Sequence, residues 1–281
     1  MIDVAWVGLS LTGRIGNKTL KILLNHFDGD TRAILSATSR DLQQIPGIGP
    51  KIAASIKSIN IEALEQALLR WQETGITIVC MTDENYPARL KNLDDAPTTL
   101  FLRGDWKHKL KKTISIIGTR SPSSDAKRIA QNLSSTLAER GYTIVSGLAL
   151  GIDAIAHMGA LAVPNGNTLA ILGCGLDNIY PPKHQPLANA IVKRGAILSE
   201  VHPLSSTSPA QLVARNRIVT GLSDAVIIVE TEIDGGAMYA ARFASHQNRP
   251  IFTFESTKSG NRELIALGAK IIDTKLNNMP F

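Results

Sequence analysis

The sequence has few cysteines, few aromatic residues and no long apolar run, and these scarcities exclude several classes of protein. Cys80 and Cys174 are the only cysteines in 281 residues, which excludes a disulfide framework or a cysteine-based zinc site. Both stand in apolar surroundings, so we expect them to be buried as small hydrophobic side chains. No apolar stretch approaches the ~18–20 residues that span a bilayer, and the N-terminus lacks a signal peptide. We therefore expect a cytoplasmic protein without a membrane partner.

Standard nucleotide-binding and catalytic motifs are missing too. The sequence contains no G-x-x-x-x-G-K-[ST] loop, and both Gly47-Ile48-Gly49 and Gly173-Cys174-Gly175 lack the third glycine of a dinucleotide fingerprint. Asp153 and His157 stand four residues apart on a predicted helix, but nothing at a suitable spacing completes a triad or a metal site. We interpret both as structural and predict no cofactor, no metal and no catalytic residue.

The charge of the chain favours an anionic partner. The formal net charge is +6, and bases outnumber acids locally between residues 103 and 128, which fits a phosphate-facing surface. A solvated loop and helix face is the alternative interpretation. The bases of this basic stretch, opposed only by Asp105 and Asp125, are Arg103, Lys107, Lys109, Lys111, Lys112, Arg120, Lys127 and Arg128.

The hydrophobic pattern divides the chain into residues 1–75 and 76–281. Apolar residues in the first part recur at helical spacing, with Asn60 as an N-cap and Gly75 as a stop, which predicts a small helical domain. Its predicted helices cover 18–27, 33–37, 51–57 and 61–74. Residues 45–56 resemble a helix-hairpin-helix segment, which can offer backbone N–H groups to a DNA phosphate. Because Lys51 is the only strongly basic residue nearby, a structural or docking role is favoured over DNA contact.

The second part alternates short β-branched runs with amphipathic helices, which is typical of a parallel sheet with helices on both faces. The stretch 84–112 contains two X-Pro pairs and is interpreted as an irregular bridge. Predicted strands cover 77–80, 114–117, 143–145, 169–172, 196–198, 225–229, 251–254 and 270–272. Predicted helices cover 124–140, 152–161, 186–194, 209–220, 236–246 and 261–267.

Glycine follows several of these strands directly. Because the carboxyl ends of parallel strands meet at one edge of a sheet, the loops at 118–122, 146–149 and 173–175 should lie close together. Glycine lets backbone N–H groups approach a ligand, a helix N-terminus adds a positive dipole end, and Arg120 adds a planar phosphate donor. Residues 215–217 can supply further donors. The alternative is that the glycines merely permit tight turns.

Two carboxylates also end strands at this edge. Glu200 and Glu230 are candidates for a catalytic pair, but carboxylates repel a bound phosphate unless they hold basic or amide groups in place. We therefore interpret them as positioning residues.

The motifs together resemble the DNA-processing protein A family, also called DprA or Smf, over about residues 40 to 270. The motifs that carry this resemblance are Tyr86-Pro87-x-Arg89-Leu90, Phe101-Leu102-Arg103-Gly104, Ile117-Gly118-Thr119-Arg120-x-Pro122, Ser146-Gly147-Leu148-Ala149-x-Gly151-Ile152-Asp153-x-x-Ala156-His157, Gly173-Cys174-Gly175-Leu176-Asp177-x-x-Tyr180-Pro181, Ser199-Glu200 and Arg215-Asn216-Arg217-Ile218-Val219-x-Gly221-Leu222-Ser223.

The resemblance implies a SAM-like helical domain followed by an extended Rossmann-like domain that binds single-stranded DNA. It also implies protection of incoming strands in natural transformation, loading of a RecA-type recombinase, and a homodimer. The DNA-binding residues that it implies are Gly118, Thr119, Arg120, Ser146, Gly147, Gly173, Lys183, Arg215, Asn216 and Arg217.

The chain departs from the family pattern in several places. Leu150 stands where relatives commonly have arginine, residues 234–238 replace a hydroxyl-bearing loop, and residues 252–256 replace a valine-proline-glycine ending. The sequence shows no winged-helix-like segment after the Rossmann-like part, so duplex binding through such an element is not expected.

Three functions follow as hypotheses. The first is a non-catalytic single-stranded DNA-binding and recombinase-mediator protein. The second is a Rossmann-like nucleotide phosphoribohydrolase that uses Glu230 near Gly235-Gly236. The third is a diverged nucleic-acid sensor. Because aromatic residues make up only 5% of the chain, base stacking is expected to contribute little to DNA binding.

Overall fold

The computed structural model describes residues 2–106 and 110–276. The chain packs as two compact units, Met1–Phe101 and Leu102–Phe281. Within the described ranges, no helix is both long and apolar enough to cross a membrane. Cys80 and Cys174 are free and buried, as the sequence predicts. Burial raises the pKa of Cys80 to about 12, so this thiol is protonated and unreactive at neutral pH.

The first unit begins with six helices: α1 (Val4–Leu11), α2 (Asn17–His26), α3 (Thr31–Ser36), α4 (Ser39–Gln43), α5 (Pro50–Lys57) and α6 (Ile61–Glu73). The predicted cap of α6 is confirmed, since the Asn60 side chain accepts a hydrogen bond from the Ala63 amide at 2.9 Å. The sequence pattern missed α1, whose side chains from Ala5 to Leu9 are all buried, so it has no polar face to reveal a period. It also missed the five-residue α4, which a capping box starts at Thr38.

The hairpin between α4 and α5 has the predicted form. Gly49 is the N-cap of α5, and Pro50 occupies its first turn, a position where the missing proline N–H costs no hydrogen bond. Ile45 and Ile48 on the intervening turn are both buried, each with 3% of its surface exposed. The turn is therefore anchored in the core of the helical segment.

The stretch predicted to be an irregular bridge is more regular than expected. After β1 (Thr77–Cys80) it contains α7 (Ala88–Lys91) and β2 (Thr99–Gly104). Most of β2 is buried, but its short apolar run directly follows a Pro-containing segment, which obscured it in the sequence.

The first unit extends beyond the boundary predicted at residue 75. The Trp6 indole Nε1 donates to the Thr98 carbonyl at 3.0 Å, and the Trp71 and Phe101 rings meet edge to face at 5.5 Å. These contacts pack residues 77–101 with the helices that precede them. The domain boundary after residue 75 stays a prediction, and the compact unit ends at Phe101.

Seven described strands of the second unit form a parallel sheet. They are β3 (Thr113–Ile117), β4 (Thr143–Ser146), β5 (Asn167–Leu172), β6 (Ala196–Ser199), β7 (Ala225–Ile228), β8 (Ile251–Thr253) and β9 (Lys270–Ile271). Their order is β6-β5-β4-β3-β7-β8-β9, and every pair from β6 to β9 is parallel. The chain winds from β3 to β6 on one side and then crosses to β7 on the other. In such sheets, ligands bind beyond the carboxyl ends of the strands, where the winding reverses.

Helices cover both faces of this sheet, as predicted. They are α8 (Ser124–Glu139), α9 (Ile152–Ala162), α10 (Gln185–Val192) after a 3₁₀ turn at Pro182–His184, α11 (Pro209–Ala214), α12 (Asn216–Gly221), α13 (Gly236–His246) and α14 (Ser259–Ala266). The core forms where apolar residues of α8 and α9 pack on β3, β4 and β7. The single helix predicted over 209–220 is two helices, because the helix is interrupted at Arg215 between α11 and α12.

A buried asparagine fastens α14 to the end of β7. The Asn261 Oδ1 accepts from the Thr231 amide at 2.8 Å, while Nδ2 donates to the Val229 carbonyl at 3.0 Å and to Thr253 Oγ1 at 2.8 Å. Thr231 starts the loop that leads to α13, so Asn261 fixes the beginning of that loop.

Replacing Asn261 with leucine should lower the free energy of unfolding by about 2–4 kcal/mol, because buried polar groups lose their partners. Urea denaturation monitored by circular dichroism measures this change. The matched control is Asn189→Leu on the exposed side of α10, which should change stability by less than about 0.5 kcal/mol. Equal stability of Asn261→Leu and the parent would contradict this assignment.

Candidate nucleic-acid interface

A cleft of about 630 Å³ lies at the carboxyl edge of the parallel sheet. Loops that follow β3, β4 and β7 line it together with the α11–α12 junction, as the sheet topology predicts. We call it the carboxyl-edge cleft; its lining includes Gly118, Thr119, Arg120, Ala149, Asn216, Gly235 and Gly236. Of the three loops predicted to converge, those at 118–122 and 146–149 contribute to the lining, whereas residues 173–175 do not.

Arg120 is the exposed cation of this cleft. Backbone bonds hold the loop that carries it: the Thr119 amide donates to the Glu230 carbonyl at 2.7 Å, and the Ile152 amide donates to the Thr119 carbonyl at 3.2 Å. Gly151 has a φ of 76°, and a Cβ there would approach the Thr119 carbonyl oxygen to 2.3 Å. Glycine is therefore required where the loops after β3 and β4 meet.

Glu200 and Glu230 act as positioning residues, as the sequence-based interpretation proposed. The Glu230 carboxylate accepts from the Ser123 amide at 2.9 Å and from Ser123 Oγ at 2.7 Å, which fixes the N-cap of α8. The Glu200 carboxylate binds the Arg217 guanidinium through both oxygens, at 2.8 and 2.6 Å. Each carboxylate is thus engaged with its own partner.

Arg215 lines the carboxyl-edge cleft, but its guanidinium is engaged with protein groups. Its guanidinium donates to the carbonyls of Gly147 and Ile171 and lies 3.6 Å from Asp153 Oδ2. Only 5% of Arg215 is exposed. A Cβ at position 147 would lie 2.0 Å from the guanidinium, so Gly147 makes room for Arg215, and it also lines the small recess beside Arg120.

Ser146 and Gly173 are also part of the framework beneath the carboxyl-edge cleft. Ser146 is fully buried, and its hydroxyl donates to the Ile116 carbonyl at 2.7 Å, so it cannot donate to a phosphate in this conformation. A Cβ at Gly173 would lie 2.9 Å from the Gln211 carbonyl oxygen. This glycine therefore permits close packing of α11 on the end of β5.

The remaining predicted residues have different surroundings. Asn216 lines the carboxyl-edge cleft, and its Oδ1 accepts from Arg215 Nε at 3.0 Å, which leaves the amide nitrogen as the available donor. Arg217 is mostly buried in its ion pair with Glu200. Lys183 is exposed on the 3₁₀ turn before α10, and it does not belong to the cleft lining that the structure describes.

The basic stretch between residues 103 and 128 does not form one phosphate-facing surface. Arg103 pairs with Asp177 at 2.8 Å, and Arg128 pairs with Asp125 at 3.1 Å. Lys112 lies over the Tyr142 ring at the amino end of β3, the opposite edge of the sheet from Arg120. Lys107 and Lys109 lie outside the described residues. Proximity in sequence therefore misled the prediction, since a buried strand separates these bases.

The loop after β7 brings both a helix N-terminus and acidic groups to the cleft. Gly235 caps α13 without a side-chain hydrogen bond, so the first amides of the helix remain available to an anion. Glu232 and Asp234 line the cleft beside them. Hydrogen bonds from Ser259, strengthened by Lys258, lower the pKa of Glu232 to about 2, so this carboxylate is ionised at neutral pH.

Several cleft residues were absent from the predicted site, among them two tyrosines. Tyr180 precedes the 3₁₀ turn, and Tyr239 lies in the first turns of α13. A usable signal existed for Tyr239, because it comes three residues after the Gly235-Gly236 pair that starts the helix. Among the described residues, no group of three or more histidine, cysteine or carboxylate side chains is placed to hold a metal ion.

Asp153 and His157 have the structural roles that the sequence favoured. Asp153 accepts from the Gly147 amide at 3.1 Å, and burial raises its pKa although Arg215 opposes that effect. The Thr168 hydroxyl donates to the Ile144 carbonyl at 2.7 Å, so His157 Nδ1 must donate to that hydroxyl at 2.6 Å. Burial, with Arg215 and His184 nearby, lowers the pKa of His157 to about 3.

Comparison with known proteins identifies the family. The family model described as DNA recombination-mediator protein A matches residues 77–279. The chain belongs to the DNA recombination-mediator protein A family. A helix-hairpin-helix family model matches residues 6–68, in agreement with the helical first part and its hairpin.

Curated relatives and solved structures agree with this membership. The chain is 34% identical to Protein Smf of Synechocystis, covering 95% of this chain and 69% of that protein. It is 33% identical to DNA processing protein DprA of Bacillus subtilis, covering 85% and 82%. DNA processing protein A of Streptococcus pneumoniae superposes with a TM-score of 0.84 at 28% identity, covering 100% and 99%.

A further solved structure concerns DNA processing protein A of Helicobacter pylori and its single-stranded DNA binding mode. It superposes with a TM-score of 0.65 at 34% identity, covering 71% of this chain and 92% of that one. These comparisons show the expected fold, an extended Rossmann-like sheet preceded by a helical segment.

The neutral, buried His157 predicts a pH dependence of stability. Below pH 6.5 the unfolded chain binds a proton at this histidine, whereas the folded protein does not until about pH 3. Stability is therefore lost as the pH falls through this window, by at most about 1.4 kcal/mol per pH unit from this group. Urea denaturation between pH 4 and 7 should show a shallower slope for His157→Gln than for the parent. An unchanged slope would contradict the assignment.

Proposed function

We propose that the chain binds single-stranded DNA in the carboxyl-edge cleft without catalysing a reaction. In this proposal it protects incoming strands during natural transformation and loads a RecA-type recombinase onto them, acting as a homodimer in the cytoplasm. The observation that carries the proposal is the exposed Arg120 guanidinium, held on a rigid loop beside the uncapped N-terminus of α13. The Helicobacter pylori relative, described by its single-stranded DNA binding mode, supports the same ligand.

The donors of the carboxyl-edge cleft suit a phosphodiester backbone. Arg120 can present two parallel N–H groups to one phosphate, and the first amides of α13 can donate hydrogen bonds to a second anionic oxygen. The Asn216 amide nitrogen adds a neutral donor across the cleft. Gly236, in the first turn of α13, supplies a backbone amide rather than charge, and phosphate contacts carry no sequence information, so recognition should depend little on base sequence.

The acidic groups on the rim favour a single strand over a duplex. Glu232 and Asp234 line the cleft. Glu232 is paired with Lys258 at 3.0 Å, so Asp234 contributes most of the repulsion on phosphates that pass close to this rim. Duplex DNA carries one phosphate charge per about 1.7 Å of its axis, twice the density of one strand. A flexible single strand can route its phosphates past Arg120 and away from the acids, whereas a duplex cannot.

The geometry gives less support to a nucleotide hydrolase. A hydrolytic role for Glu230 needs a carboxylate oxygen directed at substrate, but both oxygens accept hydrogen bonds from Ser123. Only 5% of the surface of Glu230 is exposed. Glu230 is also not among the residues that line the cleft. We therefore propose that the Gly235-Gly236 loop binds DNA rather than positioning a ribosyl group for cleavage.

Replacing Arg120 with alanine should weaken binding to a single-stranded oligonucleotide by about 10- to 100-fold, because one charge-assisted contact is lost. Fluorescence anisotropy at several salt concentrations measures the affinity and its salt dependence, whose slope should fall by about 0.7 for each lost phosphate contact. Arg120→Lys should recover part of the affinity, since it keeps the charge without the planar donor pair.

The matched control is Arg128→Ala, which removes an exposed arginine of the same charge on α8, paired with Asp125. Its affinity should equal that of the parent. If Arg120→Ala bound single strands as tightly as the parent, the assignment of the carboxyl-edge cleft as the DNA site would be wrong.

Homodimer formation is supported by Leu267 at the end of α14 and Ile271 on the edge strand β9, both exposed apolar residues.

Recombinase loading gives a second expectation. With single strands coated by a single-strand-binding protein, the parent should accelerate filament formation by a RecA-type recombinase. Arg120→Ala should lose this effect in proportion to its lost DNA affinity. An acceleration that survives loss of DNA binding would separate the two activities and contradict the proposed coupling.

A further inference from the structure

The exposed aromatic rings in the described part of the chain both lie at the carboxyl-edge cleft. Among the phenylalanine, tyrosine and tryptophan side chains that the structure describes, only Tyr180 and Tyr239 are exposed, at 41% and 42%. Both line the carboxyl-edge cleft. Every other described aromatic ring is buried or half-buried, so this distribution does not reflect a generally apolar surface.

Tyr180 stands next to the cation that the proposed function depends on. Tyr180 and Arg120 line the carboxyl-edge cleft together, and they also share a smaller recess whose other walls include Leu150, Pro181 and Leu212. The recess therefore offers apolar walls and a ring beside a guanidinium. The recess itself holds only about 30 Å³, so a nucleotide would lie over it in the larger cleft, with its phosphate at the cation and the flat face of its base on the ring.

Tyr239 has a comparable setting on the other side of Arg120. It lies in α13, just beyond the Gly235-Gly236 amides that line the cleft. The Arg242 guanidinium carbon is 5.5 Å from the Tyr239 ring centroid, so a cation again accompanies the ring. One face of Tyr239 is engaged with Arg242, and the exposed surface of the ring remains for a ligand.

The order of the strands in the sheet sets the distance between Tyr180 and Tyr239. Tyr180 belongs to the segment after β5 and Tyr239 to the helix after β7, and the strand order β5-β4-β3-β7 puts three strand intervals between them. At ~4.8 Å per interval, these strands are roughly 14 Å apart. Arg120, at the end of β3, falls within this span. Two separate bases, rather than two adjacent ones, fit this arrangement.

We propose that Tyr180 and Tyr239 are stacking platforms for two nonadjacent nucleobases of a single strand whose backbone is bound at Arg120. The inference rests on the proposed function and adds a base-dependent contribution to a phosphate-dependent one. It also revises the expectation that stacking contributes little, because the content of aromatic residues matters less than their location. Stacking requires unpaired bases, so these rings select against duplex DNA while tolerating any base sequence.

The test compares a normal oligonucleotide with an abasic one of the same length and phosphate number. Fluorescence anisotropy at fixed salt gives both affinities for the parent, Tyr180→Leu, Tyr239→Leu and the double variant. Leucine keeps apolar bulk but removes the π-face. Each single variant should lose about five- to 100-fold in affinity for the normal strand, with little change for the abasic strand.

Two further variants separate stacking from a structural role. Tyr180→Trp and Tyr239→Trp should retain binding, and their fluorescence should be quenched by the normal strand but not by the abasic one. Tyr142→Leu is the matched control, because Tyr142 lies before β4 at the opposite edge of the sheet and lines a different cavity. Its affinity for both strands should match the parent.

Each outcome decides between the proposals. If the parent binds neither strand, the proposed function fails and the stacking inference fails with it. Equal binding of both strands by the parent, with no loss in the leucine variants, overturns stacking and leaves the proposed DNA site intact. Leucine variants that bind DNA normally but lose association with a recombinase would assign the rings to a protein partner and also overturn stacking. A leucine variant with altered circular dichroism is replaced by its tryptophan counterpart, whose unquenched fluorescence would overturn the inference.

Discussion

A single buried guanidinium organises the end of the sheet on which the candidate site is built. Arg215 donates to the carbonyls at the ends of β4 and β5 and faces Asp153 at the start of α9. It also marks the break between α11 and α12. A buried charge is stabilising only when its partners satisfy it, so the loops after β4 and β5 and the break between these helices must keep their relative positions. The floor of the carboxyl-edge cleft depends on this constraint.

Two arginines at the same edge of the sheet illustrate how burial separates structural from ligand-binding roles. Arg215 has used its donors on internal carbonyls, whereas Arg120 projects from a loop that backbone hydrogen bonds hold in place. An exposed guanidinium on a rigid loop is ready to bind an anion with little reorganisation. The carboxylates differ in a similar way: Glu200 and Glu230 hold protein groups, Asp234 lines the cleft, and Glu232 lines the cleft while it is also bonded to Ser259 and Lys258.

The electrostatic character of the cleft is mixed rather than uniformly basic. Arg120 and the N-terminus of α13 attract phosphate, the acids after β7 repel it, and Tyr180 and Tyr239 present apolar rings. A surface of this kind suits a flexible polymer that can distribute its charges and bases over different subsites. The net charge of +6 accounts for a long-range attraction between the protein and an anionic polymer, but it does not predict the mixed charges that line the cleft.

The sequence by itself determined the parallel sheet, the helices around it, the hairpin of the first part and the family, because these depend on local periodicity and on motifs read in order. It also located the loops that converge on the cleft, since parallel strands direct their carboxyl ends to one edge. Only the tertiary structure decided which residues of those loops face a ligand. Ser146 and Gly173 lie in the motifs yet are buried in packing beneath the cleft, and Arg215 lines the cleft with its donors already bonded to the protein, while Tyr239 lies outside the motifs and lines the cleft. Side-chain direction and burial are set by contacts between residues far apart in the chain, and no local pattern carries that information.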